Sequence, residues 1–388
     1  MIGVNNTINK KEFHEIFYIA FILIPYLKPY NITLVPSVNS VFKMWKILAT
    51  VIVICTWIYK KAKIHVPTVS LLCFLAIWIV SLVMNRKTAQ LSELINNILS
   101  IAGCAIFFEI GNHTKEFEKN LCTVLYRVFT AYFYLNLITV FMKRPFFSDG
   151  MVLEDNANFL GGDNYSAFII IAMSGIVFFC DLKKYQTIRK RTFITTFAGL
   201  LGLCLTFSLT GMAIDALFLF LATTRKNCFL RKAANWKIAL FIAALVVLSI
   251  SYLHLDRILA AILKSMDKTG FNGRGMIWPM VISAILKKPI LGYGGVNQYL
   301  AQTWFIAGAN HAHNILLEYP FSTGLLGTMF FISYLYSVMN RQKKSSSILK
   351  ICVSCYFLCS IFDFYIGLIY LYLLLDMIYF EDEKLLNE

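Results

Sequence analysis

Charge is what this 388-residue chain has least of: Asp, Glu, Lys and Arg together make up 15% of it, against about a quarter in soluble globular proteins. With 58% hydrophobic residues beside so little charge, a soluble globular fold is excluded. Acidic residues are scarcer than basic ones, 21 against 36. No internal repeat is visible, which argues against the two similar halves common in transporters. Neither a cleavable signal peptide nor a low-complexity linker is expected. The cysteines do not build an external disulfide framework. Cys55, Cys73, Cys104, Cys122, Cys180, Cys204, Cys352, Cys355 and Cys359 fall in apolar stretches, and Cys228 falls in a basic inner connection. Cys352-x-x-Cys355 on an apolar helix reads as packing.

What the chain has instead is apolar runs. A helix of roughly 20 apolar residues crosses about 30 Å of hydrocarbon, and runs of about that length recur along the whole sequence. Twelve spans are expected, at 14–30, 41–59, 67–84, 94–111, 121–142, 165–181, 193–208, 210–224, 236–254, 314–339, 346–362 and 364–380. The fold class is therefore an all-α polytopic membrane protein, with residues 1–388 as one membrane domain. The first span is short and contains Pro25, which leaves a re-entrant segment open; the two spans flanking Leu209 are joined by almost nothing.

Basic residues orient the spans, because cytoplasmic loops collect Lys and Arg. An inner N-terminus puts Lys183, Lys184, Arg189, Lys190 and Arg191 in one cytoplasmic loop and Arg225, Lys226, Arg231 and Lys232 in the next. Arg341, Lys343 and Lys344 join the same side, and both termini are expected inside. The net charge of +15 then reads as topology and contact with anionic membrane lipids, with no nucleic-acid partner.

Two outer loops remain as a working surface, a smaller one at 143–164 and a large one at 255–313. The large loop opens on an amphipathic stretch, Asp256 to Lys268, suited to lying on the membrane surface. Met276 to Leu286 is apolar but too short to cross, so it is expected at the interface. The glycines of Gly292-Tyr293-Gly294-Gly295 after Pro289 mark a tight turn. The loop ends in His311-Ala-His313-Asn314-Ile-Leu-Leu-Glu318, polar residues opening a membrane helix. Histidine exchanges a proton near neutral pH, and the Arg274 guanidinium offers a fork of donors matched to phosphate oxygens. Together they suit attack by a hydroxyl on a phosphate-activated carbon. His311 and His313 have no nearby third and fourth ligand, so no metal is expected. Histidine at a helix mouth also caps carbonyls, and an interfacial arginine also binds lipid phosphate; both readings stand beside the catalytic one.

These segments resemble the O-antigen polymerase and ligase superfamily (Wzy-type polymerases and WaaL-type ligases). Arg274-Gly-Met-Ile-Trp278 through Pro289-Ile-Leu-Gly292-Tyr-Gly294 is similar to the family's Arg, Trp, then Pro-Leu-Gly-x-Gly pattern. His313-Asn314 with Leu317-Glu318, followed by Gly324-Leu-Leu-Gly327, is similar to its His-Asn-x-x-Leu-Glu helix start. Asp163-Asn164-Tyr165-Ser166-Ala167 loosely matches a third family segment. The sequence departs from the family at Leu209, where many members have an arginine that helps hold the diphosphate.

The resemblance implies a glycosyltransferase at the outer face of the bacterial cytoplasmic membrane, acting on undecaprenyl-diphosphate-linked oligosaccharide without a cofactor. It implies His313 as the base that deprotonates an acceptor hydroxyl and Arg274 as the group that stabilises the departing diphosphate, with inversion at the anomeric carbon. Substrate contacts are expected from Asn314, Glu318, His311, Tyr293, Arg257, Lys268, Lys143 and Arg144, the cations among them as substitutes for the missing arginine. The reaction expected is polymerisation of repeat units into capsular or O-antigen polysaccharide, with a chain-length regulator as a partner by analogy. Ligation of finished glycan to lipid A core or protein is the alternative, and a lipid-linked sugar flippase the alternative of a different class.

Overall fold

The computed structural model describes residues 10–87, 91–111, 114–144, 146, 158–224, 235–253, 274–295, 311–340 and 347–384, with backbone alone at 91–94, 163 and 382–384. Among them are thirteen α-helices and no strand. These are α1 (Lys10–Tyr26), α2 (Pro36–Lys60), α3 (Val66–Met84), α4 (Leu91–Ile110), α5 (Lys115–Met142), α6 (Asp163–Tyr185), α7 (Lys190–Leu205), α8 (Leu209–Thr223), α9 (Trp236–Leu253), α10 (Arg274–Lys287), α11 (Ile315–Met339), α12 (Ser347–Cys359) and α13 (Ile369–Lys384). Each of the twelve expected spans coincides with a helix, and α10 is the short apolar stretch of the large loop.

Six helices, α2, α3, α5, α6, α9 and α11, are long and apolar enough to cross a membrane. The apolar stretches of α4, α8 and α12 are shorter. The chain is a polytopic membrane protein. Exposed apolar side chains such as Met44, Ile47 and Val51 on α2 and Phe241, Leu245 and Leu248 on α9 form the kind of surface that lipid covers.

Charged side chains tie helix ends together in an alternating pattern. At one end of the bundle Lys119, at the start of α5, reaches Glu12 near the start of α1 at 2.9 Å. Lys183, at the end of α6, meets Glu118 of α5 at 3.0 Å and also Glu381 near the end of α13. His65 before α3 meets Glu109 at the end of α4 at 2.8 Å. The opposite end joins the end of α3 to the loop after α10, where Lys288 donates to the Asn85 side chain at 2.8 Å. There too the Asn31 amide, after α1, donates to the Phe159 carbonyl, before α6, at 3.1 Å. Helices α1 to α6 thus run alternately up and down. The α1 helix runs the full depth between these ends, and the pair flanking Leu209 is two helices.

The least expected element is α13. It contains Asp376 and Glu381, yet Leu371 to Phe380 are all buried, so it is an axis of the bundle rather than a lipid-facing span. Its acids are matched from neighbouring helices: the Tyr334 hydroxyl of α11 donates to Asp376 at 2.6 Å, and Lys183 pairs with Glu381. The helix starts at Ile369, five residues after the expected span, because residues 360–368 form an irregular connection around Asp363.

A break in α11 shapes the functional end. Gly324 has φ 65° and ψ −176° inside the helix, outside helical geometry. The two bonds that would span the break, from the Leu325 and Leu326 amides to the Phe321 and Ser322 carbonyls, are replaced by bonds to the turn after α10. Leu325 donates to the Pro289 carbonyl at 2.7 Å and Leu326 to Ile290 at 3.4 Å. The Tyr293 and Gly294 amides donate to the Phe321 and Ser322 carbonyls, each at 2.8 Å. Backbone groups freed inside a membrane protein must find partners, and this turn supplies them.

Candidate active site

Helix α10 places Arg274 and Trp278 one turn apart and so on one face. The Trp278 indole is fully buried and donates to the Ala312 carbonyl at 3.1 Å, so α10 is fastened under the segment that holds the two histidines. The next anchor is Asn314, the N-cap of α11. Its side chain accepts from the Leu316 amide at 2.9 Å and donates to the Ile361 carbonyl at 2.7 Å. Glu318, one turn into the helix and 1% exposed, accepts from the Ala312 amide at 2.7 Å and the Ser322 hydroxyl at 2.8 Å.

These anchors hold His313 in the left-handed region, φ 51°, a conformation costing a non-glycine residue of order 1 kcal/mol. The twist directs its imidazole at the connection between α12 and α13, where Nδ1 lies 3.0 Å from Asp363 Oδ1. Asp363 Oδ1 also accepts from the Phe364 amide at 2.9 Å, and the Tyr365 hydroxyl lies 3.4 Å from Oδ2. The His311 ring is 3.7 Å from that of His313, and its Nδ1 accepts from the His313 amide at 3.3 Å.

Electrostatics divides the labour. Burial, and then the neighbouring His313, hold the His311 imidazole down to about 3, so it is neutral at physiological pH. That state agrees with its Nδ1 acting as an acceptor. Burial alone pushes the Asp363 carboxyl up, but the hydrogen bond from His313 and the nearby His311 and Arg274 outweigh it and hold the carboxyl below its usual range. Arg274 is 9% exposed; burial lowers its guanidinium from its ordinary value, against the pull of Asp363 and Tyr365. Of the two histidines, His313 is the more accessible, its side chain 23% exposed against 8% for His311.

The arrangement therefore comprises an ionised carboxylate, an imidazole oriented by it, a second neutral imidazole and a guanidinium. Such a set can take up and release a proton beside an anionic group. It also offers three ligand atoms within 4.8 Å of one another, from His311, His313 and Asp363. The sequence reading expected no metal because it found no third ligand close to the histidines; Asp363, fifty residues further on, supplies that ligand type, so the group can hold a cation as well as relay protons.

Arg274, His313, His311, Asn314 and Glu318 are brought together. The side chains of Asn314 and Glu318 are engaged with backbone groups and Ser322 as described above. Tyr293 lies elsewhere, stacked on Phe321 at 5.2 Å, with its hydroxyl donating to the Ala284 carbonyl at 3.3 Å. Lys143 and Arg144 are exposed at the end of α5 and do not line the cavity beside the histidines. Arg257 and Lys268 lie outside the described residues. Leu209 opens α8 without a cation. From the sequence Asp363 stands out only as an ionisable residue beside a membrane span, of a kind that is usually functional, with no partner to give it a role; nothing singles out Tyr365.

A polytopic membrane protein with a histidine–carboxylate pair and an arginine at one end of its bundle is the class these features define. Residues 194–332 match a family model described as O-Antigen ligase. The matched segment holds Arg274, His313 and Glu318, so the likeness to that family covers the histidine and arginine of the site, though not Asp363. No curated protein matches the chain.

Proposed function

We propose that this protein polymerises undecaprenyl-diphosphate-linked oligosaccharide repeat units at the outer face of the cytoplasmic membrane, by inverting glycosyl transfer. The observation that carries the reading is the 3.0 Å pair of His313 and Asp363 beside Arg274, held at the mouth of α11. Asp363 accepts from His313 Nδ1, which leaves Nε2 to take the proton of an acceptor hydroxyl. As the hydroxyl oxygen attacks the anomeric carbon, the bond to the lipid diphosphate breaks and the electron pair leaves with the phosphate oxygen. Arg274 stabilises that negative charge. A positioned base contributes about 10²- to 10⁴-fold to such a step. Diphosphate is a good leaving group in its own right, so the step calls for no metal, and chelation is expected to leave the rate unchanged.

The outer-face placement is supported by the basic loops and by the position of Arg274, His313 and Asp363 at the end opposite the Lys183 and Lys119 ion pairs. The test is reconstitution of the purified protein with lipid-linked repeat units, products resolved on a gel, with His313→Ala in parallel. A ladder that disappears in the variant supports the reading. Transfer only when core lipid or protein acceptor is added would identify a ligase, and movement of the lipid-linked glycan without new bonds a flippase.

A further inference from the structure

Beside the histidines lies a cavity whose side chains the transfer step leaves unused. Its volume is about 270 Å³, and it is bounded by the end of α1, the start of α2, α4 and the connection around Asp363, with His311 and Glu318 in its wall. Lys28, Lys43 and Lys46 line it. Lys46 is 4% exposed, and its one polar contact among the described residues is a 3.5 Å approach to the Asn96 carbonyl. The charges nearest it, on Lys28 and Lys43, have its own sign. No described carboxylate forms an ion pair with Lys43 or Lys46. Taking a cation out of water without a counter-charge is costly, so this wall is built to receive an anion.

The rest of the lining has a different character. Tyr30, Tyr165 and Tyr365 follow one another with ring centroids 6.1 and 5.1 Å apart, and Tyr365 continues to His311 at 5.0 Å. Asn96 and Asn97 add side-chain amides. Aromatic faces that cover the C–H side of a sugar ring, with amides for its hydroxyls, make a saccharide subsite; a bare diphosphate has no use for them. The cavity is just below the range of ordinary ligand pockets, roughly 300–1,000 Å³, which suits one or two sugar residues rather than an extended glycan.

We propose that this cavity is a subsite for an acidic sugar residue, in which Lys28, Lys43 and Lys46 hold a carboxylate and the tyrosines cover the ring. The inference rests on the glycan-transfer reading and adds to it that the repeat unit is anionic.

Equilibrium binding to the full-length protein in lipid nanodiscs tests it, with glucuronate and galacturonate as probes against glucose and galactose. At least one acid is expected to bind about 10-fold or more tightly than its neutral counterpart, as befits a charge-assisted contact with a buried cation. Lys46→Met is expected to abolish that preference, and Lys43→Met, at a half-buried position that folding tolerates more easily, to reduce it. Equal binding of acid and neutral sugars, no binding of either acid, or a preference that survives both substitutions would overturn the assignment. So would inorganic diphosphate binding more tightly than either acid in a Lys46-dependent way, which would make the cavity a lipid-diphosphate pocket. Binding requires no bond formation, so it is expected unchanged in His313→Ala; a failure of the transfer reading is thereby separated from a failure of the subsite.

Discussion

Replacing Asp363 by Asn removes one negative charge from the site and little else. The Asp363 Oδ1 acceptor of the Phe364 amide and of His313 Nδ1 survives as the amide oxygen, and the new amide nitrogen faces the Tyr365 hydroxyl, which can accept from it. The substitution is close to isosteric, so folding should be retained and the loss of activity should report the charge. Its magnitude is bracketed from two sides. A hydrogen bond to a charged group contributes about 1 kcal/mol more than a neutral one, which is the lower bound. The attraction between unit charges about 4 Å apart is about 4 kcal/mol at an effective dielectric constant near 20, which is the upper bound for the imidazolium formed as His313 takes up its proton. Converted at about 1.4 kcal/mol per factor of ten, kcat should fall between about 5-fold and about 10³-fold. KM should move little, because the carboxylate acts through His313 rather than on the substrate. The assay is the reconstituted transfer reaction, with a thermal unfolding scan to check that the variant is folded. A folded Asp363→Asn protein with wild-type kcat would refute the role given to the pair.

Other outcomes follow from the same geometry. With its folded value near 3 against an ordinary 6.5, His311 refuses a proton that the unfolded chain accepts, so stability is lost as pH falls from about 6.5 towards about 3, at about 1.4 kcal/mol per unit. In thermal unfolding of the detergent-solubilised protein, His311→Gln should lose about 2 kcal/mol less than wild type between pH 7 and pH 5; identical pH dependence would contradict a buried neutral His311. Arg274→Lys keeps the charge but not the fork of donors, and a reduction of roughly 10- to 100-fold in kcat is expected, whereas unchanged turnover would leave only a lipid contact for Arg274. Gly292→Ala and Gly324→Ala should each destabilise the fold by about 1–3 kcal/mol, seen as a lower unfolding midpoint and lower folded yield. Both residues have φ 65°, and a Cβ on either would collide with backbone atoms of the other's segment.

Much of the fold was legible because the membrane enforces a length on apolar runs, and twelve runs gave twelve helices. The place where the reading slipped is instructive. Hydrophobicity put the last span at 364–380, but Asp363 and Gly367 belong to an irregular connection. In that connection Asp363 pairs with His313, while a Cβ at Gly367 would run into the Asn97 side chain. Of the site, the residues of two local motifs could be read from the sequence: Arg274 in one, and His311, His313, Asn314 and Glu318 in the other. What each does could not, since whether Glu318 meets a substrate or the Ala312 amide depends on how the preceding loop folds back over the helix. The partnership of Asp363 with His313, and the place of the three lysines, were out of reach for a different reason. Asp363 and the lysines come from segments 50 or more residues away, and only the packing of α1, α2 and α4 against the α12–α13 connection brings them beside His311.

The glycine turn after α10 shows how a motif that looks like a substrate loop can earn its place through architecture. Its backbone completes the hydrogen bonding of a broken membrane helix, with Gly292 and Gly324 each leaving room for the other's strand of backbone. Trp78 and Ser81 of α3 extend the fastening, donating to the Gly294 and Ser322 carbonyls at 3.1 and 3.0 Å. Helix α10 is thus held at both ends, by this turn at one and by the Trp278 bond to Ala312 at the other. Since Arg274 is the first residue of that helix, its guanidinium is positioned against Asp363 by the membrane bundle itself. A site assembled this way depends on α3 and α11 as much as on its own loop. Substitutions at Trp78 or Ser81, remote in sequence from every proposed catalytic residue, should therefore lower kcat by displacing Arg274 while leaving His313 and Asp363 paired.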